Sequence, residues 1–166
     1  VNFQHADPMS RADQVFLFKR TMREAALRHG IYATFLAKPM ENEPGSSMHW
    51  HLSMADAHDG RNVFSLPDGG ESEAFRHFIG GLQAYTPDLM LVYAPTVNSY
   101  RRYVAGSQAP TNVQWGHDNR TAGLRVPESS PANRRVENRL GGADASSYLA
   151  ITASLACGYL GMIEGL

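Results

Sequence analysis

The chain has 166 residues, 43% of them hydrophobic, and a formal net charge of −1 at pH 7. This length favours one domain with a sizeable core, and the near-neutral charge does not favour nonspecific binding to nucleic acid. The longest apolar run, Tyr148 to Ile163, is interrupted by Thr152 and Ser154 and is too short to span a bilayer. The single cysteine, Cys157, excludes a disulfide within the chain, and no signal peptide is visible. These features predict a cytoplasmic protein.

The first predicted element is a helix followed by an extended segment. Ser10 and Asp13 resemble a capping box, and apolar residues then recur at helical spacing as far as Gly30. Residues 31–38 have strand character and precede a polar loop. We therefore expect a helix and then a strand before the middle of the chain.

The clearest strand covers residues 47–54, because apolar and polar side chains alternate along it. One predicted face carries Met48, Trp50, Leu52 and Met54, and the other carries Ser47, His49, His51 and Ser53. A short strand is predicted over residues 62–66. A helix then begins near Ser72 and ends before Pro87, and a shorter helical segment covers residues 87–94.

The last part of the chain is rich in arginine. Seven arginines lie between Asn98 and Arg139, separated by short apolar runs. The predicted elements in this part are a loop over 103–112, strands over 113–117, 123–126 and 134–139, and a final helix from about Ala145 capped by Asp144. Spaced arginines on short strands indicate a rigid pocket for anions, because a guanidinium holds carboxylate or phosphate through two parallel bonds.

Two histidines and a glutamate are candidate metal ligands. His49 and His51 share the polar strand face and could bind a metal or a nucleotide, or be ordinary surface residues. Glu137 lies between Arg135 and Arg139, which should keep its carboxylate ionised, and it belongs either to a metal site or to an ion-pair network. A face lined by such groups suits phosphoryl transfer. The absence of a glycine-rich loop with lysine and of a Gly-x-Ser-x-Gly elbow excludes P-loop and serine-hydrolase designs.

Five consecutive motifs resemble the signatures of the glutamine synthetase catalytic domain. They are GSSMHWHLS at 45–53, NSYRR at 98–102, WGHDNRTAGLR at 115–125, RRVENR at 134–139 and GADA at 142–145. The resemblance covers essentially the whole chain, in order and with the right spacing. It implies an α+β fold in which antiparallel strands form a curved sheet with helices packed on its outer face.

The resemblance also implies an ATP-dependent ligase that joins glutamate to an amine through γ-glutamyl phosphate, with Mg²⁺ or Mn²⁺ as cofactor. It assigns the metal nearer the nucleotide phosphates to His49 and Glu137. The implied ATP contacts are His51, Ser53, Arg120, Arg125 and Arg135. The implied glutamate contacts are Gly45, Arg102 and Arg139. Arg120 and Arg139 are also the implied catalytic residues, with Arg120 at the transferring phosphoryl group.

Departures from the family motifs bear on the substrates. Gln108 stands where ammonia-using members carry the acid that takes a proton from ammonium, and glutamine cannot act as a general base. The chain therefore resembles the γ-glutamyl-polyamine synthetases more closely, which join glutamate to a larger amine. An ammonia-using glutamine synthetase and a non-catalytic relative that serves as a binding or assembly module are the alternatives. Pro44 and Ser47 replace the usual Asn and Gly of the glutamate pocket.

The resemblance further implies that residues 1–166 are part of a catalytic domain. The N-terminal domain and the upstream strands with further metal ligands would lie outside this sequence. The expected partners are glutamate, an amine and further copies of the subunit in a ring that shares its sites between neighbours. Neither nucleic acid nor a membrane is an expected partner, and residues 1–166 alone are expected to lack ligase activity.

Overall fold

Helices and short strands alternate with loops along residues 1–166, all of which the computed structural model describes. In chain order the elements are α1 (Pro8–Arg28), β1 (Trp50–Leu52), α2 (Glu73–Tyr85), α3 (Met90–Tyr93), α4 (Val97–Tyr100), β2 (Trp115–His117), β3 (Leu124–Val126), β4 (Val136–Asn138) and α5 (Ser147–Glu164). Single 3-10 turns cover Pro87–Leu89 and Pro131–Asn133. The predicted α+β class is confirmed. No helix has both the length and the apolar character that crossing a bilayer requires.

The four strands form one sheet in the order β1-β4-β3-β2. β4 is antiparallel to both neighbours, so Glu137 lies opposite His51 on β1 and opposite Arg125 on β3. β2 runs parallel to β3, which makes the sheet mixed where only antiparallel strands were expected. The parallel pair forms because the loop after β2 returns the chain to the start of that strand. Asp118 assists this reversal with a left-handed backbone conformation, at φ 45°.

Two groups of buried apolar side chains support the sheet from one side. The larger consists of Leu52, Phe64, Phe75, Phe78, Ile79, Leu82, Leu124, Val126, Val136 and Cys157. The smaller consists of Ala12, Trp50, Tyr93, Ala145, Ala150, Ile151 and Ala153. Every strand from β1 to β4 except the edge strand β2 therefore turns apolar residues toward α2 and α5. Since successive strand residues point to opposite faces, the other face is left for polar side chains.

Trp50, the first residue of β1, belongs to the smaller group and packs against Tyr93. Its ring centroid lies 5.9 Å from that of Tyr93, and the residue is 6% exposed. A Cβ atom at Gly141 would lie 1.9 Å from the indole, so only glycine leaves room for this ring. The other tryptophan, Trp115 on the edge strand β2, is 39% exposed.

Two helix starts differ from the prediction, and the side-chain hydrogen bonds of Asp7 and Asp144 explain the differences. α1 begins at Pro8, because Asp7 is its cap and accepts a hydrogen bond from the backbone N–H of Ser10 at 2.9 Å. α5 begins at Ser147, and its preceding residue makes no side-chain cap. Asp144 does not cap α5, because its carboxylate binds the hydroxyl of Ser99. An earlier cap therefore sets the start of α1, whereas at α5 a competing hydrogen bond removes the predicted cap.

Two predicted strands are wrong. Residues 31–38 belong to no helix or strand and form no ladder with any strand of the sheet. Residues 62–66 form only isolated bridges, from Asn62 to Ala55 and from Ser65 to Glu71. The predicted helix from Ser72, the helical segment after Pro87 and the loop over 103–112 are confirmed.

Glycines bring α2 and α5 into direct backbone contact. A Cβ atom at Gly81 would lie 2.1 Å from the carbonyl oxygen of Cys157, and one at Gly161 would lie 2.2 Å from that of His77. A Cβ atom at Gly158 would lie 2.2 Å from the ring of Phe78. No side chain fits at these positions unless the helices move apart.

Replacing Gly81 with alanine is expected to destabilise the full-length protein by about 1–3 kcal/mol, because overpacking forces a backbone shift. Intrinsic helix propensity alone predicts the opposite sign, a gain of about 1 kcal/mol. The control is Arg76→Ala on the exposed side of α2, where a change within about 0.5 kcal/mol is expected. The measurement is urea unfolding, and a more stable Gly81→Ala protein would contradict the close helix contact.

Candidate active site

The polar face of the sheet carries a buried carboxylate surrounded by cationic and imidazole groups. The side chain of Glu137 is 4% exposed. Its Oε1 atom accepts hydrogen bonds from Nδ1 of His49 at 2.9 Å and Nη1 of Arg139 at 3.1 Å. Its Oε2 atom accepts from Nη1 of Arg125 at 3.1 Å, and Nε2 of His51 lies 3.8 Å from Oε1. The strand register therefore gathers these four side chains around the carboxylate of Glu137.

The surroundings of Glu137 fix its charge. Burial alone would raise its pKa, but the hydrogen bond from His49 and the charges of Arg139, His49 and His51 lower the pKa to about 2. Burial lowers the pKa of His51 and outweighs the opposite effect of Glu137, while Arg135 adds to the lowering. Nδ1 of His51 accepts a hydrogen bond from Nε of Arg135 at 3.2 Å, which requires a neutral imidazole. At neutral pH the site thus pairs an ionised carboxylate with a neutral His51.

Two arginines are held at the rim of this face. Arg125 donates from Nε to Oδ1 of Asp118 at 3.1 Å while its Nη1 binds Glu137, so the guanidinium is fixed on two sides. Arg135 donates to His51 and, at 3.1 Å, to the carbonyl oxygen of Asn133. Fixed guanidinium groups beside an open face are suited to binding phosphate.

Two further arginines are buried beside Glu137. Arg102 is 4% exposed and Arg139 is 5% exposed. Nη2 of Arg102 donates to the carbonyl oxygen of Leu140, and the ring centroid of Tyr103 lies 5.0 Å from its guanidinium carbon. Nη2 of Arg139 donates to the carbonyl oxygen of Gln108 at 3.4 Å. The Nε atoms of both arginines are buried without a partner, a costly state that an anionic ligand would relieve.

Gly45 lies directly on the aliphatic part of Arg102. A Cβ atom at Gly45 would be 2.7 Å from Cγ of Arg102 and 2.7 Å from the carbonyl oxygen of Ala37. Any side chain at this position would therefore displace the arginine. The structure thus brings Gly45 and Arg102, two of the three residues implied for glutamate, into contact. Arg139, the third, lies beside them, because Nη2 of Arg102 is 3.5 Å from the carbonyl oxygen of Arg139.

Two of the implied ATP residues lie outside this network. Arg120 is exposed in the loop between β2 and β3, and its side chain forms no hydrogen bond or ion pair within the chain. Ser53 follows β1, and its hydroxyl lies 3.2 Å from Nε2 of His5. Sequence reasoning gave no role to Asp118, which accepts a hydrogen bond from Nε of Arg125 and reaches it through the left-handed turn after β2.

The residues fit half of a metal site. His49 and Glu137 adjoin and together offer an imidazole nitrogen and an ionised carboxylate. A hard divalent cation takes about six donors, and no group of three or more His, Cys, Asp or Glu side chains is arranged here to hold a metal ion. The remaining donors would have to be waters, substrate oxygens or residues beyond these 166.

Comparison with known proteins matches residues 1–166 to the family described as glutamine synthetase, catalytic domain. The chain is 41% identical over 167 residues to γ-glutamylputrescine synthetase of Escherichia coli, covering 100% of this chain and 34% of that protein. It is 43% identical over 166 residues to γ-glutamylethanolamide synthetase of Streptomyces coelicolor, covering 100% and 35%. It is 41% identical over 162 residues to a glutamine synthetase of Pyrococcus horikoshii, covering 98% and 36%. The chain therefore spans about a third of the length of the curated relatives it matches.

Proposed function

The chain belongs to the glutamine synthetase family, and we propose that it forms part of the active site of an ATP-dependent glutamate–amine ligase. The observation that carries this proposal is the buried Glu137, held by His49, Arg125 and Arg139. A buried charge must be paired with an opposite charge or coordinate a metal ion, and the arginines around Glu137 together exceed its single negative charge. ATP and glutamate together supply several anionic groups, which matches a wall of arginines.

The proposed reaction has two steps. The γ-phosphoryl group of ATP passes to the side-chain carboxylate of glutamate, ADP leaves, and an amine then displaces phosphate from the acyl phosphate. A divalent cation, Mg²⁺ or Mn²⁺, would supply charge neutralisation at the nucleotide phosphates. His49 and Glu137 are the residues of this chain that would hold it, with the other donors coming from outside these residues.

The arginines divide the anionic groups between them. Arg125 and Arg135, with His51 and Ser53, are assigned to ATP, and the fixed guanidinium groups at the rim support this. Arg102 and Arg139, with Gly45, are assigned to glutamate, and the unpartnered Nε atoms support this. Arg120 is assigned to the transferring phosphoryl group, where a free guanidinium can meet charge as it develops.

A polyamine is the proposed acceptor. Gln108 is exposed in the loop over 103–112, beside Arg139, and its amide cannot take a proton from ammonium. Two of the relatives above are named for amines larger than ammonia. Ammonia is the second candidate, because a glutamine synthetase is equally similar to this chain.

The length of these relatives supports a protein longer than 166 residues. We propose that residues 1–166 are one part of a longer catalytic domain and that an N-terminal domain completes the protein. The missing metal donors would then come from upstream strands. The expected assembly is a ring of identical subunits with active sites at the contacts between them. Its expected location is the cytoplasm.

The test is phosphate release by the full-length protein from ATP and glutamate, with putrescine, monoamines or ammonium as acceptor. Release that requires both glutamate and amine is expected, with the highest kcat/KM for putrescine. No glutamate-dependent release with any amine would refute the ligase. Ammonium as the best acceptor would refute the polyamine alone.

Changing Gln108 to glutamate is expected to shift acceptor preference toward ammonium, by about tenfold or more in relative kcat/KM. A positioned general base contributes about 10²- to 10⁴-fold to such proton transfers. Gln108 contacts Arg139 only through its backbone, so its replacement should leave the fold unchanged. The matched control is Gln114→Glu, which adds the same charge at another exposed position. Equal shifts in the two variants would show a general charge effect.

A further inference from the structure

A one-turn helix precedes the buried Arg102. α4 is capped by a reciprocal pair in which the Thr96 hydroxyl oxygen accepts from the N–H of Ser99 at 3.2 Å. The Ser99 hydroxyl oxygen accepts from the N–H of Thr96 at 3.0 Å. The turn continues through the N–H of Arg102, which donates to the carbonyl oxygen of Ser99 at 3.2 Å. The position of Arg102 therefore follows the position of this cap.

Both capping hydroxyls donate their protons to one carboxylate oxygen. Oδ2 of Asp144 accepts from the hydroxyl of Ser99 at 2.5 Å and from that of Thr96 at 3.1 Å. Both hydroxyl oxygens also accept from backbone N–H groups, and they lie 2.9 Å from each other, so the two hydroxyls and the carboxylate form one hydrogen-bonded cluster. Two hydroxyl groups that both donate to one atom need an acceptor without a proton of its own, and an ionised carboxylate is such an acceptor. Ser99 is 1% exposed, so its bond to Asp144 is partly shielded from water, whereas the bond from Thr96 is exposed.

Asp144 belongs to the same short segment that holds the other end of Arg102. Leu140, four residues earlier, accepts hydrogen bonds through its carbonyl oxygen from the guanidinium of Arg102 and, at 2.6 Å, from the hydroxyl of Tyr103. The segment from Leu140 to Asp144 thus holds Arg102 in two ways: Leu140 binds its guanidinium, and Asp144 fixes the cap of α4, which precedes its backbone. Two further bonds tie this turn down: the side chain of Asn98 accepts from and donates to the backbone of Lys38, at 2.9 and 2.7 Å.

We propose that Asp144 is a positioning residue for glutamate, which acts by fixing α4 and thereby the guanidinium of Arg102 that would hold a glutamate carboxylate. This inference rests on the proposed function. Asp144 does not touch the substrate; the geometry gives it control over where Arg102 lies. Its contribution therefore falls on glutamate binding and not on ATP, since none of the residues assigned to ATP lies in α4 or in the segment from Leu140 to Asp144.

The test measures KM for glutamate and KM for ATP separately in the full-length protein. Asp144→Ala is expected to raise KM for glutamate about tenfold or more, since both bonds to its half-buried carboxylate are lost. KM for ATP should change less than about twofold. Asp144→Asn keeps one acceptor oxygen without the charge and should restore part of the loss. Ser99→Ala, which removes one donor to Asp144, should change KM for glutamate in the same direction.

The matched control is Ser154→Ala. Ser154 is also a buried serine, bonded to Tyr93 and Asn138 in the core behind the sheet, with no contact to α4. It should lower Tm and leave the ratio of the two KM values unchanged. If Asp144→Ala also lowers Tm and raises both KM values in parallel, Asp144 is only structural and the inference is overturned.

Calorimetric titration with glutamate, without ATP, separates this inference from the proposed function. A wild-type protein without glutamate-dependent phosphate release refutes the ligase, and the glutamate affinities of the wild type and Asp144→Ala then decide the inference. Phosphate release by the wild type with an unchanged glutamate KM in Asp144→Ala overturns the inference alone. A wild type that binds no glutamate overturns both.

Discussion

Replacing Arg120 with alanine in the full-length protein is expected to lower kcat by about 10²- to 10³-fold, the size found for a lost donor to transition-state charge. KM for ATP and for glutamate should change much less. The reason is that Arg120 is exposed and has no partner within the chain, so its removal breaks no bond of the fold. Its proposed contact forms only as the phosphoryl group transfers, and such contacts appear in kcat.

Steady-state phosphate release at varied ATP and glutamate separates the two kinetic constants. The matched control is Arg101→Ala, which removes another exposed arginine from the same region and should leave kcat within about twofold. A rise in KM with unchanged kcat would place Arg120 in ground-state binding and would reject its catalytic role.

Replacing Glu137 with glutamine is expected to destabilise the fold at neutral pH by on the order of 3 kcal/mol, which is the worth of a pKa of about 2 in place of 4.5. Removal of one partner from a buried ion pair costs about the same. The variant leaves Arg139 and Arg125 without their shared carboxylate. It should also lose activity, because it lacks the charged metal ligand.

The pH dependence has a definite sign. The pKa of Glu137 is lower in the folded than in the unfolded protein, so its contribution is complete above pH 4.5 and is lost as pH falls toward 2. The stability difference between wild type and Glu137→Gln should therefore shrink over this range. Urea unfolding at several pH values measures it, with Glu43→Gln in an exposed loop as the control. A difference that stays constant with pH would contradict the ionised state of Glu137.

The polar face of the sheet was predictable because strand geometry has a fixed period. Alternation along residues 47–54 placed His49 and His51 opposite the apolar residues, and the structure has this arrangement at β1. The spacing of Arg135, Glu137 and Arg139 predicted one shared face in the same way, and their contacts with His51 and with each other agree. Local periodicity suffices wherever one face of a strand is buried.

Features that depend on distant partners were not predictable. Residues 31–38 have the composition of a strand, but a strand also needs a neighbour for its backbone groups, and composition does not supply one. Asp144 is well suited to cap α5, yet Ser99, 45 residues earlier, takes its carboxylate. The pairing of Arg125 with Asp118 depends on the left-handed turn at Asp118, which no motif specifies.

The two tryptophans of the chain are placed so that each reports on a different part of it. Trp50 is packed against Gly141 on the apolar face of β1, so its indole emits from a buried environment that exists only while the sheet and its helices are assembled. Trp115 lies at the outer edge of β2 and is open to an aqueous quencher such as iodide. Quenching and spectral shift are therefore separable optical signals, one from the edge of the sheet and one from the core directly behind the site.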